Sequence, residues 1–113
     1  MKIDEIQEVD IDENGGYKFI VANLQDESRN ARVVIRANKE CAYHREILSL
    51  LRKDLLQYNI SAYCIGGGRI NIDKLGRTIS ISSESGDFGR EPDRRKTVKA
   101  LEKAFPEFKV YSS

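Results

Sequence analysis

The chain has 113 residues, 40% of them hydrophobic and 33% charged, with 19 Lys and Arg against 18 Asp and Glu and a formal net charge of +1. This is the profile of one folded α+β-sized domain, 1–113, and it excludes a disordered tail. A charge so close to zero supplies no global field for nucleic acid or an anionic membrane, and no apolar run is long enough to span a bilayer.

The acidic start, Met1 to Asp10, lacks the order of a signal peptide, so a cytoplasmic protein is expected. Val9 to Gly16 reads as a short strand closing in a glycine turn. Tyr17 to Leu24 follows as a strand, with Tyr17, Phe19 and Val21 on one face and Lys18, Ile20 and Ala22 on the other. A polar loop, Gln25 to Asn30, leads to a third strand, Ala31 to Ala37, rich in β-branched residues.

His44, Leu48, Leu51, Leu55 and Tyr58, spaced four, three, four and three apart, predict an amphipathic helix. Asn38 is a candidate N-cap, and a start as late as Ala42 also fits. Ser61 to Ile65 and Arg69 to Ile72 read as short strand pieces around Gly66-Gly67-Gly68, and Arg77 to Ser83 as another strand. Ser82 to Gly89 is a polar loop. Pro92 suits the first turn of a second helix carrying Val98, Leu101 and Phe105; Pro106 ends it, and Phe108 to Tyr111 closes the chain as a strand. The sum is an α+β fold, a mixed central sheet of about six strands packed with two helices.

The rarest residues restrict the chemistry. Cys41 and Cys64 form no CxxC, so two reduced thiols are expected rather than a disulfide framework or cysteine zinc site. His44 is the single histidine, which rules out a two-histidine metal site; no metal and no cofactor are expected. A lone histidine on an apolar helix face is commonly a core residue. At a helix start, however, the dipole favours a neutral imidazole, and the unpaired amides there attract an anion.

Gly66-Gly67-Gly68-Arg69 is not a P-loop, because no Gly-Lys-Ser/Thr follows and no helix opens there. The run marks either a plain bend or a close approach of backbone or phosphate, with Arg69 as a bidentate donor. Lys18 and Arg36 are charges within apolar strands; they point to solvent or, on the face that meets His44, complete a cationic pocket. Arg94-Arg95-Lys96, with Lys99 and Lys103, reads as a solvated helix face, docking of an acidic partner being the lesser reading.

Val-Asp-Ile-Asp (9–12), Tyr-Lys-Phe (17–19), Ile-Arg (35–36), Tyr-His (43–44), Gly-Gly-Gly-Arg-Ile (66–70) and Phe-Gly (88–89) come in an order that resembles the phosphohistidine phosphatase, or Janus/Ocnus, family. The resemblance runs from Val9 to about Tyr111 and implies a metal-independent hydrolase acting on phosphohistidine in proteins or peptides. It implies His44 as general base or nucleophile, Lys18 as the phosphate-contacting lysine, and Arg36 and Arg69 as arginines around the pocket, with a chiefly structural role as the alternative for Arg69. Ser85, Gly86 and Asp87 fall on its phosphate-binding loop.

That loop departs from the family pattern. The serine and the closing Phe-Gly remain, but two tyrosines are absent, and Glu84 and Asp87 bring negative charge. Either these carboxylates point away, or the protein binds phosphate weakly or prefers a cationic substrate feature; Arg45 offers an offset. The alternative expectation is a catalytically weakened module that binds phosphorylated or acidic peptides. No long exposed apolar stripe asks for a second copy, so a monomer is expected.

Overall fold

The computed structural model describes every residue from Met1 to Ser113. Six strands, β1 (Val9–Ile11), β2 (Gly15–Gln25), β3 (Ala31–Ala37), β4 (Ser61–Asp73), β5 (Thr78–Ser82) and β6 (Lys109–Ser112), form one sheet in the order β1-β3-β2-β4-β5-β6. The inner pairs are antiparallel, while β1 and β6 lie parallel to β3 and β5 at the two edges. Helix α1 (His44–Leu55) covers one face and α2 (Arg94–Ala104) the other. The expected mixed α+β sheet with two helices is the fold observed. No helix is long and apolar enough to cross a membrane.

Strand alternation builds a separate core on each face. Ile20, Ala22 and Leu24 of β2 and Val34 of β3 pack under Ile47, Leu48, Leu51 and Leu55 of α1. Phe19 and Val21 of β2, Ile70 and Ile72 of β4, and Ile79 and Ile81 of β5 pack with Leu101 of α2. Each fully buried Val, Leu, Ile or Phe among them contributes about 1.5–3 kcal/mol against exposure. Lys18 belongs to the α1-facing row by the same alternation, just where that row leaves the apolar core.

Three boundaries differ from the sequence reading. The first helix begins at His44 rather than between Asn38 and Ala42. Asn38 Oδ1 instead accepts the Glu40 amide in a turn, and the Glu46 carboxylate accepts the Tyr43 amide, 2.9 Å away, at the true helix start. Pro92 precedes the second helix: Asp93 is its N-cap, accepting the Arg95 amide at 3.1 Å.

The third difference is the glycine run, which lies inside a single 13-residue strand rather than between two short ones. Val21 pairs with Gly66 and Ala22 with Cys64, so Ile65 is the extra residue of a β-bulge. A Cβ on Gly66 would collide with the Glu91 backbone, and one on Gly68 with the Ser82 carbonyl oxygen. The missing side chains therefore admit neighbouring protein backbone, which closes round the strand from both sides.

Candidate active site

Lys18 of β2 and Arg69 of β4 stand directly opposite each other in the antiparallel register. Like charges in that arrangement repel unless something negative lies between or above them. Arg69 is exposed and its side chain makes no hydrogen bond or ion pair within the chain, whereas Lys18 Nζ donates to the Ala42 carbonyl at 2.7 Å and lies 5.3 Å from the centre of the Tyr43 ring. This contact ties the lead-in of α1 to the strand beneath it.

His44, the first residue of α1, is only 5% exposed. Its Nε2 lies 2.9 Å from the carbonyl oxygen of Gly68, one residue before Arg69. A carbonyl can only accept, so Nε2 carries a proton, and the tautomer that this contact selects has its lone pair on Nδ1. The histidine is thus buried and hydrogen-bonded, as a core residue would be, yet anchored to the strand position next to the Lys18–Arg69 pair.

The 82–89 loop docks on the same stretch of β4. Gly67 donates its amide to Gly89 O at 3.1 Å, and Ser85 and Gly89 exchange two backbone hydrogen bonds. Ser85 is buried, and its Oγ accepts the amides of Asp87 and Phe88 at 3.2 and 3.1 Å. Those two amides are therefore occupied within the loop. The Ser85 O–H and the Gly86 amide make no hydrogen bond inside the chain and remain as donors.

Asp87 turns towards Arg45, with 3.8 Å between carboxylate and guanidinium, and Arg45 itself stacks 4.4 Å from the Tyr43 ring centre. An exposed pair of this kind adds little stability, but it offsets the Asp87 charge locally. Glu84 is exposed and has no cationic partner.

Arg36 does not join this group. Its guanidinium donates to the carbonyls of Gln7, Ile35 and Glu8 at 2.7, 2.9 and 3.3 Å, which fastens the segment before β1 to β3. Burial lowers its pKa from the usual arginine value, opposed by Asp10 and Asp54 nearby.

Arg94, on the helix face expected to be solvated, is buried behind the site. It donates to Glu91 Oε1 and to the carbonyls of Gly67 and Ser83 at 2.8, 2.8 and 2.7 Å, while Thr97 Oγ1 donates to Glu91 Oε2 at 2.6 Å. Burial alone would raise the Glu91 carboxyl; hydrogen bonds from Arg94 and Thr97 together outweigh it and hold the group below its usual value. One signal was readable: the stripe Val98, Leu101 and Phe105, continued back at helical spacing, lands on Thr97 and Arg94. Burial, the largest cause in each case, pushes the Cys41 and Cys64 thiols up from the usual cysteine value.

The model of the Janus/Ocnus family matches residues 3–109 of the chain. The protein belongs to that family. Among its Janus/Ocnus relatives, the 14 kDa phosphohistidine phosphatase of Sus scrofa is 25% identical over 112 residues, covering 94% of this chain and 88% of the relative. The Homo sapiens protein of the same name is 25% identical over 111 residues, covering 93% and 88%. The sex-regulated protein janus-A of Drosophila melanogaster is 26% identical over 102 residues, covering 90% and 75%. Family membership is therefore as the sequence resemblance implied, and the relatives carry two different names at the same distance.

Proposed function

We propose that this Janus/Ocnus protein is a protein phosphohistidine phosphatase that works without a metal ion. The reading rests on one observation above all: His44, with Nε2–H held by the Gly68 carbonyl, sits beside the cross-strand pair Lys18–Arg69. Two unneutralised cations facing each other describe a place for an anion, and a neutral imidazole beside them supplies the base or nucleophile.

The phosphoryl oxygens lie against Lys18 and Arg69, with the Gly86 amide and Ser85 hydroxyl as further donors. In-line attack then comes from Nδ1 of His44 or from a water that it deprotonates. The P–N bond breaks as the new bond to phosphorus forms, and the leaving imidazole takes up a proton. In the nucleophilic route, water hydrolyses the phosphorylated His44 in a second step; both routes yield histidine and inorganic phosphate. As Nδ1 gains a proton or a phosphoryl group the ring becomes cationic, and the hydrogen bond to Gly68 O strengthens with it. Soluble phosphohistidine-containing proteins or peptides are the substrates.

A second reading, a phosphopeptide-binding module with little turnover, draws support from the loop: the Asp87 and Phe88 amides are committed to Ser85 Oγ, and Glu84 is unpaired. Phosphate release from a phosphohistidine peptide in EDTA, compared for wild type and His44→Ala, separates the two. Turnover that survives chelation and falls by at least about 10³-fold in the variant supports the phosphatase. Binding without release in the wild type supports the module. Equal turnover in both proteins removes His44 from the mechanism.

A further inference from the structure

The basic run at the start of α2 divides into three fates. Arg94 goes inside, Arg95 pairs with Asp93 at 3.5 Å, and Lys96, Lys99 and Lys103 remain exposed without an acidic partner. These three lie on one side of the helix, and together they form one wall of a cavity of about 500 Å³ on the sheet face opposite His44. Its floor is aliphatic: Val21, Val33, Ile35 and Ile65. Val33 is 46% exposed there, while the 11-residue α2 packs against β6 and β1, the two edge strands of the sheet.

We propose that this groove docks an acidic segment of a partner protein through an apolar anchor residue. The charge pattern selects the occupant. Lys96 to Lys103 span about 10 Å of helix. A single small anion would meet one or two of these lysines, whereas carboxylates on alternate residues of an extended segment repeat at about 7 Å and meet the whole row. Aliphatic side chains between those carboxylates then point to the floor. Nucleic acid fits less well, since the floor offers no aromatic ring for base stacking. The acidic groups at the rim do not cancel the pattern: Asp93 and Glu91 are engaged by Arg95 and Arg94, leaving Glu8 as the one unpaired carboxylate there. The sheet separates the groove from His44, so an occupied groove leaves Lys18 and Arg69 open.

The test is an amide-resolved titration of the full chain with a synthetic peptide of alternating Glu and Leu, alongside a Lys-Leu peptide and a single-stranded oligonucleotide. The expected result is a set of shifts at Val33, Ile65 and Ala100 with none at Lys18 or His44, produced by the acidic peptide alone. Lys96→Glu/Lys99→Glu/Lys103→Glu, with its amide dispersion unchanged, should weaken that binding by about tenfold or more. Val33→Gln, which makes the floor polar without altering α2 or the charge of the groove, should also weaken it. Absence of shifts, shifts centred on Lys18 and His44, undiminished binding to the triple variant, or tighter binding of the oligonucleotide would each overturn the proposal.

Discussion

Replacing Arg94 by methionine tests whether the buried cluster behind the glycine strand holds the site together. The guanidinium and the Glu91 carboxylate are 4% and 2% exposed, and Arg94 also serves the carbonyls of Gly67 and Ser83. Removing one partner of a buried pair costs about 3–5 kcal/mol, chiefly because the other charge is left uncompensated. Set against a total of about 5–15 kcal/mol for a domain of this kind, the variant should be only marginally stable at neutral pH. Adding Glu91→Met removes the stranded carboxylate but not the two orphaned carbonyls. The double variant should therefore recover part of the loss and stop short of wild type.

Acid provides a second reading of the same cluster. In the wild type the Glu91 carboxyl is held below its ordinary 4.5, so its contribution is present above that value and is lost as pH falls through the lower folded one. In Arg94→Met burial is opposed only by the Thr97 hydroxyl and a backbone amide, and the carboxyl moves upward. Its protonated form is then the favoured one, and the variant regains ground as pH falls. The gap between the two proteins, measured by urea unfolding, should thus narrow from neutral pH towards pH 4. A loss below about 1 kcal/mol at neutral pH, or a double variant at least as unstable as Arg94→Met, would refute the account.

Arg69→Met separates an anion site from a structural ion. Stability by urea unfolding should stay level or rise by about 0.2–1 kcal/mol as the repulsion with Lys18 is relieved, while kcat/KM for phosphate release should fall by about tenfold or more; a loss of stability instead would make Arg69 structural. Tyr17 donates to the carbonyls of Asp12 and Glu13 at the β1–β2 turn, and burial, with Asp12 and Glu13, raises its pKa from 10.0 to about 12. Its contribution is complete below pH 10 and is lost as pH rises through about 12. Tyr17→Phe should therefore abolish a phenolate absorbance step near pH 12 and flatten the alkaline fall in stability; a variant that keeps both would refute this assignment.

Periodicity made β2, β3 and the apolar stripe of α1 legible, because the side chains that repeat are the ones that pack. Gly66 to Gly68 were legible as a close approach but not as the middle of a strand. What approaches them is the backbone of Glu91 and Ser82, which are distant in sequence. Arg36 and Arg94 were misjudged for a common reason. Each is a charge held by main-chain carbonyls, joined for Arg94 by the Glu91 carboxylate, and nothing in the identity of Gln7, Gly67 or Ser83 announces that its carbonyl will be turned towards a guanidinium.

The start of α1 matters more to the site than its stripe does. A helix begun at Asn38 would direct the Ala42 carbonyl along its axis to the Glu46 amide, four residues on. Instead Glu46 donates to Tyr43 O at 3.1 Å, and the extended lead-in turns the Ala42 carbonyl to Lys18 Nζ. The Glu46 carboxylate reaching back to the Tyr43 amide fixes that boundary. His44 then becomes a first-turn residue, level with Gly68 and beside the point where Lys18 leaves the apolar row. The site is thus defined where the α1-facing core ends, and the residue that sets that limit is a capping glutamate rather than any of the cations it leaves uncovered.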